Sequence, residues 1–233
     1  MLARLICLAA LLLLSTAAFA QERGEMVPGP CVPKDWDELT SWREWMSHTP
    51  PPNARNWQQE APRIGNKTAA WRYLDRLYLG LDGGKVATLT DCPLGDNLRL
   101  YLYERYDEAG GFHVVRTLYY EDHTYALIMR KTGLMFTVPA APIWSPDRTR
   151  FAYGVCDLMN AKDDIAIMKV AGDGLQTESA GHMPCGMGNC ALVWENASTL
   201  AATCTEAADQ GGKRQVMRLV RHDDKWTATT GPR

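Results

Sequence analysis

The chain of 233 residues lacks most of the features that announce a function. It has no lysine or arginine run, and 25 basic residues stand against 27 acidic ones, so the electrostatic footprint of a nucleic-acid or anionic-membrane binder is missing. It has no Gly-x-Ser-x-Gly and no His-Glu-x-x-His, which removes the common sequence marks of serine and zinc hydrolases. It has no phosphate-binding loop and no dinucleotide fingerprint, so no nucleotide cofactor is expected, and none of another kind. Its five histidines (His48, His113, His123, His182 and His222) are scattered rather than grouped. After the first twenty residues no apolar run approaches the about 20 residues of a membrane helix, which predicts a mature chain without a membrane span.

The start of the chain is informative. Arg4 gives a short basic beginning, an apolar run follows from Leu5 to Leu14, and Ala18-Phe19-Ala20 precedes polar Gln21-Glu22-Arg23. Charged start, apolar centre and small residues before a cut are the three parts of a cleavable export signal, predicted over residues 1–20. Cys7 lies inside the apolar run, far from the cut, and is a poor lipidation site. Loss of Arg4 with no acidic residue takes the formal net charge from −2 to −3. A periplasmic or secreted location follows as the expectation.

Cysteine usage agrees with export. Without Cys7 six cysteines remain: Cys31, Cys92, Cys156, Cys185, Cys190 and Cys204. An even number in an oxidising compartment predicts up to three disulfides, and sequence alone leaves the pairing open. Cys185 and Cys190 are the easiest local pair. A Cys31 to Cys92 bridge would close a long loop and contribute about 4 kcal/mol in the chain-entropy picture.

Residues 21–33 read as a Pro/Gly linker. Trp36, Leu39, Trp42, Trp45 and Met46 then recur at spacings of three and four, a helical period with one apolar face, which must stop before Pro50-Pro51-Pro52. A second helical pattern is read from Thr68 to Leu77, through Ala69, Trp71, Tyr73 and Leu74, with Asn66 as its start cap. Together these make a Trp-rich helical cover over residues 34–75. From residue 76 to the end at 233 the period is two. Leu77, Leu79 and Leu81 and then Val86 to Leu89 flank Asp82-Gly83-Gly84 as a hairpin. Further strand patterns span Leu98–Tyr103, Phe112–Tyr120, Thr124–Met129 and Leu134–Val138.

The last third repeats itself. Ile143-Trp144-Ser145-Pro146-Asp147, then Arg150 to Cys156, then Asp164 to Val170, is matched by Val193-Trp194-Glu195-Asn196, Thr199 to Cys204, and Gln215 to Val220. A further short strand closes each unit, near Leu175 to Ser179 and near Trp226 to Thr229. Four short strands per unit is the blade pattern of a propeller. The stretch Ile143-Trp-Ser-Pro-Asp147 with Arg150-Phe-Ala, Asp164-Ile-Ala-Ile-Met168 and Gly172-Asp-Gly174 resembles the β-propeller repeat of the TolB C-terminal domain type. Arg148 departs from it, standing where that repeat usually has glycine, and the second unit shares only Trp194 and the strand pattern. The resemblance implies a fold, and propellers serve many functions. The fold class expected is all-β with a small N-terminal helical segment, in propeller-like antiparallel four-stranded sheets. Room for about four blades leaves ring closure open.

One stretch is chemically unusual. His182, Met183, Cys185, Met187 and Cys190 place soft ligands within nine residues, the set that selects Cu(I). The competing reading is a disulfide-closed turn, which oxidation in an exported chain favours. Glu121, Asp122 and His123, with Asp147, are the acid/base residues that an enzyme assembled from separate loops would draw on; Asp and His are also ordinary turn residues. Asp91 and Asp96 flank Cys92-Pro93-Leu94-Gly95 and read as loop. The function expected is non-enzymatic binding, the partner being another exported or cell-envelope protein or a small ligand.

Overall fold

The structure is a computed structural model that describes residues 21–22, 60–65, 69–92, 98–119, 122–156, 163–183, 188–206, 212 and 214–232. They are nearly all β. A two-residue strand, β1 (Gln21–Glu22), precedes four antiparallel sheets, each a run of consecutive strands. The first holds β2 (Ala70–Tyr73), β3 (Arg76–Gly80) and β4 (Val86–Thr90). The second holds β5 (Leu100–Asp107), β6 (Phe112–Leu118), β7 (His123–Met129) and β8 (Met135–Val138). The third holds β9 (Ile143–Trp144), β10 (Phe151–Cys156), β11 (Asp163–Ala171) and β12 (Gly174–His182), with β1 added on the outer edge of β12. The fourth holds β13 (Gly188–Asn196), β14 (Thr199–Glu206), β15 (Arg214–His222) and β16 (Lys225–Pro232). No helix among the described residues is long and apolar enough to cross a membrane.

The two units read from the last third are therefore the third and fourth sheets, the third with β1 as a fifth strand; the first sheet has three strands, so only the second and fourth are the four-stranded sheets expected. The hairpin read around Asp82-Gly83-Gly84 is also present, because Gly83 at φ 72° and Gly84 at φ 75° accept a left-handed backbone that other residues resist. The helix read from Thr68 to Leu77 is not. Residues 70–73 and 76–80 pair as adjacent antiparallel strands, Tyr73 opposite Arg76, turning at Leu74 and Asp75 with Leu74 at φ 51°. Ala70 points in while Trp71 and Tyr73 face out, a period of two. The exposed Trp71, Tyr73 and Leu74 had imitated a helical stripe, and ladder pairing with β3 overrode it. The run of consecutive strands thus begins by Ala70 rather than at residue 76, and Gln21–Glu22, read as linker, pair with β12 because their backbone extends its free edge. The helical pattern from Trp36 to Met46, and Asn66, lie outside the described residues.

Three core layers join consecutive sheets. The first packs Ala70, Leu77, Leu79, Ala87 and Leu89 against Tyr101, Tyr103, Val115 and Ile128. The second packs Phe112, Val114, Leu127 and Phe136 against Phe151, Ala166, Met168 and Leu175. The third packs Ala152, Ile165 and Ile167 against Leu200, Ala202, Met217 and Leu219. Each of these larger side chains contributes about 2 kcal/mol by leaving water. No core cluster among the described residues joins the fourth sheet to the first.

Polar and covalent ties cross the same seams. The Trp144 indole N–H donates to Asp107 Oδ2 of the second sheet. In the fourth sheet, Trp194 Nε1 donates to the Ile143 carbonyl of the third at 2.9 Å. A disulfide joins Cys156 of β10 to Cys190 of β13, Cα–Cα 5.8 Å. Gly154 sits under this contact: a Cβ there would meet Leu192 Cδ1 at 2.8 Å and Met183 Cε at 3.1 Å, so its bareness lets the fourth sheet approach. The Cys156–Cys190 bond corrects the local Cys185–Cys190 pairing expected from spacing. Stacking of the two sheets brings β10 against β13 and so outcompetes the short loop.

Candidate functional site

One open concavity among the described residues is a cleft of ≈ 440 Å³ on the third sheet. Its floor is one cross-strand row: Tyr153 of β10 faces Ala166 of β11, which faces Ala180 of β12. Pro139, just after β8, forms the wall on the side of the second sheet, and His182 closes one end. A bulge sets this row. Ile167 pairs with Ser179 but Met168 pairs with Thr177, so Glu178 is an extra residue on β12. The extra residue keeps Ala180 and His182 on the face that carries Thr177, beside Ala166. Ala180 and His182 are exposed, Tyr153 is half-buried and Ala166 is buried. The cleft therefore offers an apolar floor, a phenol and an imidazole, without a carboxylate among the residues that line it.

The bulged Glu178 anchors the outer strands instead. Arg150 reaches it through Nε and, at 3.2 Å, Nη2; Lys169 Nζ stands 3.5 Å away; Trp226 Nε1 of the fourth sheet donates at 3.2 Å. Burial raises the Glu178 pKa, but the bonds from Arg150 and Trp226 and the charges of Arg150 and Lys169 outweigh it and hold it below the ordinary value.

A second polar cluster lies between the first and second sheets. Arg72 of β2, almost fully buried, donates to Glu60 through Nε at 2.6 Å and Nη2 at 3.2 Å, and to Asp91 Oδ2 through Nη1 at 3.1 Å. Its Nη2 also donates to the Tyr101 carbonyl. The same carboxylates accept backbone N–H groups of β5, Asp91 Oδ1 from Tyr101 at 2.8 Å and Glu60 Oε1 from Tyr103 at 2.6 Å. This is a closed ionic lock that caps the β5 edge with its acceptors used, not a reactive centre. Beside it, buried His113 bonds Gly80 O of the first sheet through Nε2 at 2.9 Å and lies 3.4 Å from the Tyr103 hydroxyl through Nδ1. That pattern fits the neutral Nε2–H tautomer. Burial lowers the His113 pKa, the Gly80 bond opposes the shift, and the Arg130 charge adds to it. Burial also pushes the Tyr101 hydroxyl up to about 12.

The residues singled out from sequence scatter. Asp122 is exposed and its Oδ1 accepts the His123 backbone N–H at 2.6 Å; His123 is exposed at the start of β7; Glu121 lies outside the described residues. Asp147 is held in the turn before β10 by the Ser145 hydroxyl at 2.6 Å and by Thr149. Those bonds, Ser145 first, keep its carboxyl below the ordinary range. Asp122, His123 and Asp147 do not line the cleft. Of the soft-ligand set, the Cys190 sulfur is in a disulfide, Met183 is buried in the third core and His182 is exposed at the cleft. Cys185 and Met187 lie outside the described residues, as do Cys31 and Asp96. Among the described residues no group of three His, Cys, Asp or Glu is placed to hold a metal ion. Cys92 and Cys204 are disulfide-bonded as well.

Sequence reasoning passed over Tyr153, Ala180 and the Glu60–Arg72–Asp91 lock. Arg72 had a signal: it takes an inward position of a strand whose outward positions are Trp71 and Tyr73, and an inward arginine requires buried acids. Tyr153 had none, because its role comes from a neighbouring sheet. Compared with known proteins, the chain matches no family model, no curated protein and no solved structure.

Proposed function

We propose that the chain is an exported, non-enzymatic binding protein, and that the cleft between Tyr153, Ala180 and His182 receives its partner, another exported or cell-envelope protein or a small ligand. The observation that carries this is the cleft itself: an open apolar floor with a phenol and an imidazole at its margin suits binding. The residue pattern of 1–20 supports export to a periplasmic or extracellular setting, and the Cys156–Cys190 disulfide is of the kind that persists there.

The four sheets read best as propeller-like blades of the TolB type in an arc. Three features support this. The third and fourth sheets repeat a four-strand order, Trp144 and Trp194 each bridge to the preceding sheet, and Arg148 has φ 55° at the place where the resembled repeat carries glycine. Loops and seams between blades are where such folds present binding surfaces.

The test is affinity capture from the producing cell's periplasm with the mature wild-type protein and with Ala180→Arg, which fills the cleft. A partner or ligand retained by wild type and lost with the variant supports the reading. Recovery of nothing, or equal recovery by both, sinks it.

A further inference from the structure

Cys156 and Cys204 occupy equivalent places, on the second strands of the third and fourth sheets. Cys190 lies between them. It is bonded to Cys156 at a Cα–Cα distance of 5.8 Å, and across the β13–β14 ladder it is the register partner of Cys204. Directly opposed residues of an antiparallel pair have Cα atoms about 4.5–5.5 Å apart and side chains on one face. That lies within the about 4.4–6.8 Å that a disulfide spans. Cys204 is buried in the third core, and Cys156 and Cys190, partly buried, pack against that same core. Cys190 thus has two cysteines within bonding range and is bonded to one.

We propose that Cys190 is the exchangeable sulfur of a three-cysteine junction, trading its bond to Cys156 for a bond to Cys204 when a low-molecular-weight thiol is present. The sequence of bonds balances. The external thiolate attacks the other sulfur of the disulfide that holds Cys204; that bond breaks, a mixed disulfide forms, and Cys204 is released as thiolate. The Cys204 thiolate attacks Sγ of Cys190; the Cys156–Cys190 bond breaks and Cys156 leaves as thiolate, taking a proton from water. In this second step one S–S bond forms as one breaks, so no oxidant is needed. The consequence is mechanical. The Cys156–Cys190 bond ties the third sheet to the fourth, whereas a Cys190–Cys204 bond lies within the fourth. Exchange therefore releases the covalent tie across that seam while keeping Cys190 oxidised.

The test uses the mature wild-type protein, without denaturant, in glutathione buffers graded from oxidising to reducing, followed by acid quench, alkylation and peptide mapping. A Cys190–Cys204 linked peptide that rises as Cys156 becomes alkylated is the expected result. Loss of the Cys156–Cys190 peptide with both of its cysteines alkylated together, and no Cys190–Cys204 peptide at any poise, overturns the proposal. Cys156→Ser provides a second reading: Cys190 linked to Cys204 supports exchange, and Cys190 alkylated as a free thiol refutes it. If that variant does not fold, the wild-type map decides alone.

Discussion

The Trp194 indole donates its N–H to the backbone carbonyl of Ile143, the residue beside Trp144, whose own indole donates to Asp107. Two tryptophans 50 residues apart in sequence thus perform one task at successive seams. Their acceptors differ. Asp107 is a buried carboxylate, and the Ile143 carbonyl is a neutral group at an exposed site.

That difference predicts unequal penalties. Trp144→Phe removes a charge-assisted bond and leaves Asp107 short of a donor, which costs about 1.5–3 kcal/mol. Trp194→Phe removes a neutral bond and costs about 0.5–1.5 kcal/mol. Urea denaturation of both variants against wild type measures the two values. Equal penalties would remove the distinction between the two acceptors.

The Glu60–Arg72–Asp91 lock predicts a large effect from a small change. Arg72→Ala strands two buried carboxylates and should destabilise by about 3–5 kcal/mol. Adding Glu60→Gln and Asp91→Asn to Arg72→Ala should recover part of the loss, since the stranded charges are then gone. Denaturant midpoints for the single and triple variants give the comparison, and a triple variant weaker than the single would contradict it.

Arg148 holds a left-handed backbone, φ 55°, in the turn that Ser145 and Asp147 close. A non-glycine residue there costs about 1 kcal/mol or more. Arg148→Gly should therefore stabilise the protein by about 1 kcal/mol, less the added entropy of glycine in the unfolded chain. A rise in Tm on differential scanning calorimetry is the expected outcome.

Acid should weaken the fold in two stages. His113 is held below its ordinary 6.5 mainly by burial, so the unfolded chain binds its proton first. Its contribution is complete above about pH 6.5 and is lost as pH falls below that value. Glu178 is held below its ordinary 4.5, so its contribution is present above that value and is lost as pH falls through the lower, folded pKa. Unfolding free energies between pH 8 and pH 3 should show both slopes. His113→Asn should flatten the upper one and leave the lower one in place.

Much of the β architecture was legible because its cause is local. Leu77, Leu79, Ala87 and Leu89 alternate with half-buried or exposed neighbours, and a period of two needs no tertiary knowledge to recognise. Gly83 and Gly84 mark their turn for the same reason. The Thr68–Leu77 error was local too. Trp71 and Leu74 sit at helical spacing only because both lie on exposed surface, where nothing penalises the coincidence.

By itself the sequence determined most strands from residue 76 onward, their turns and the repeat in the last third, since alternation and turn chemistry act between neighbours along the chain. Only the tertiary structure decided that Cys190 bonds Cys156 and faces Cys204, that Arg72 gathers Glu60 and Asp91, and that Tyr153, Ala166 and Ala180 floor a cleft. Each of these depends on which sheet stacks on which and on a one-residue bulge at Glu178. Those are outcomes of packing among side chains far apart in sequence, where one apolar face looks much like another until the sheets meet.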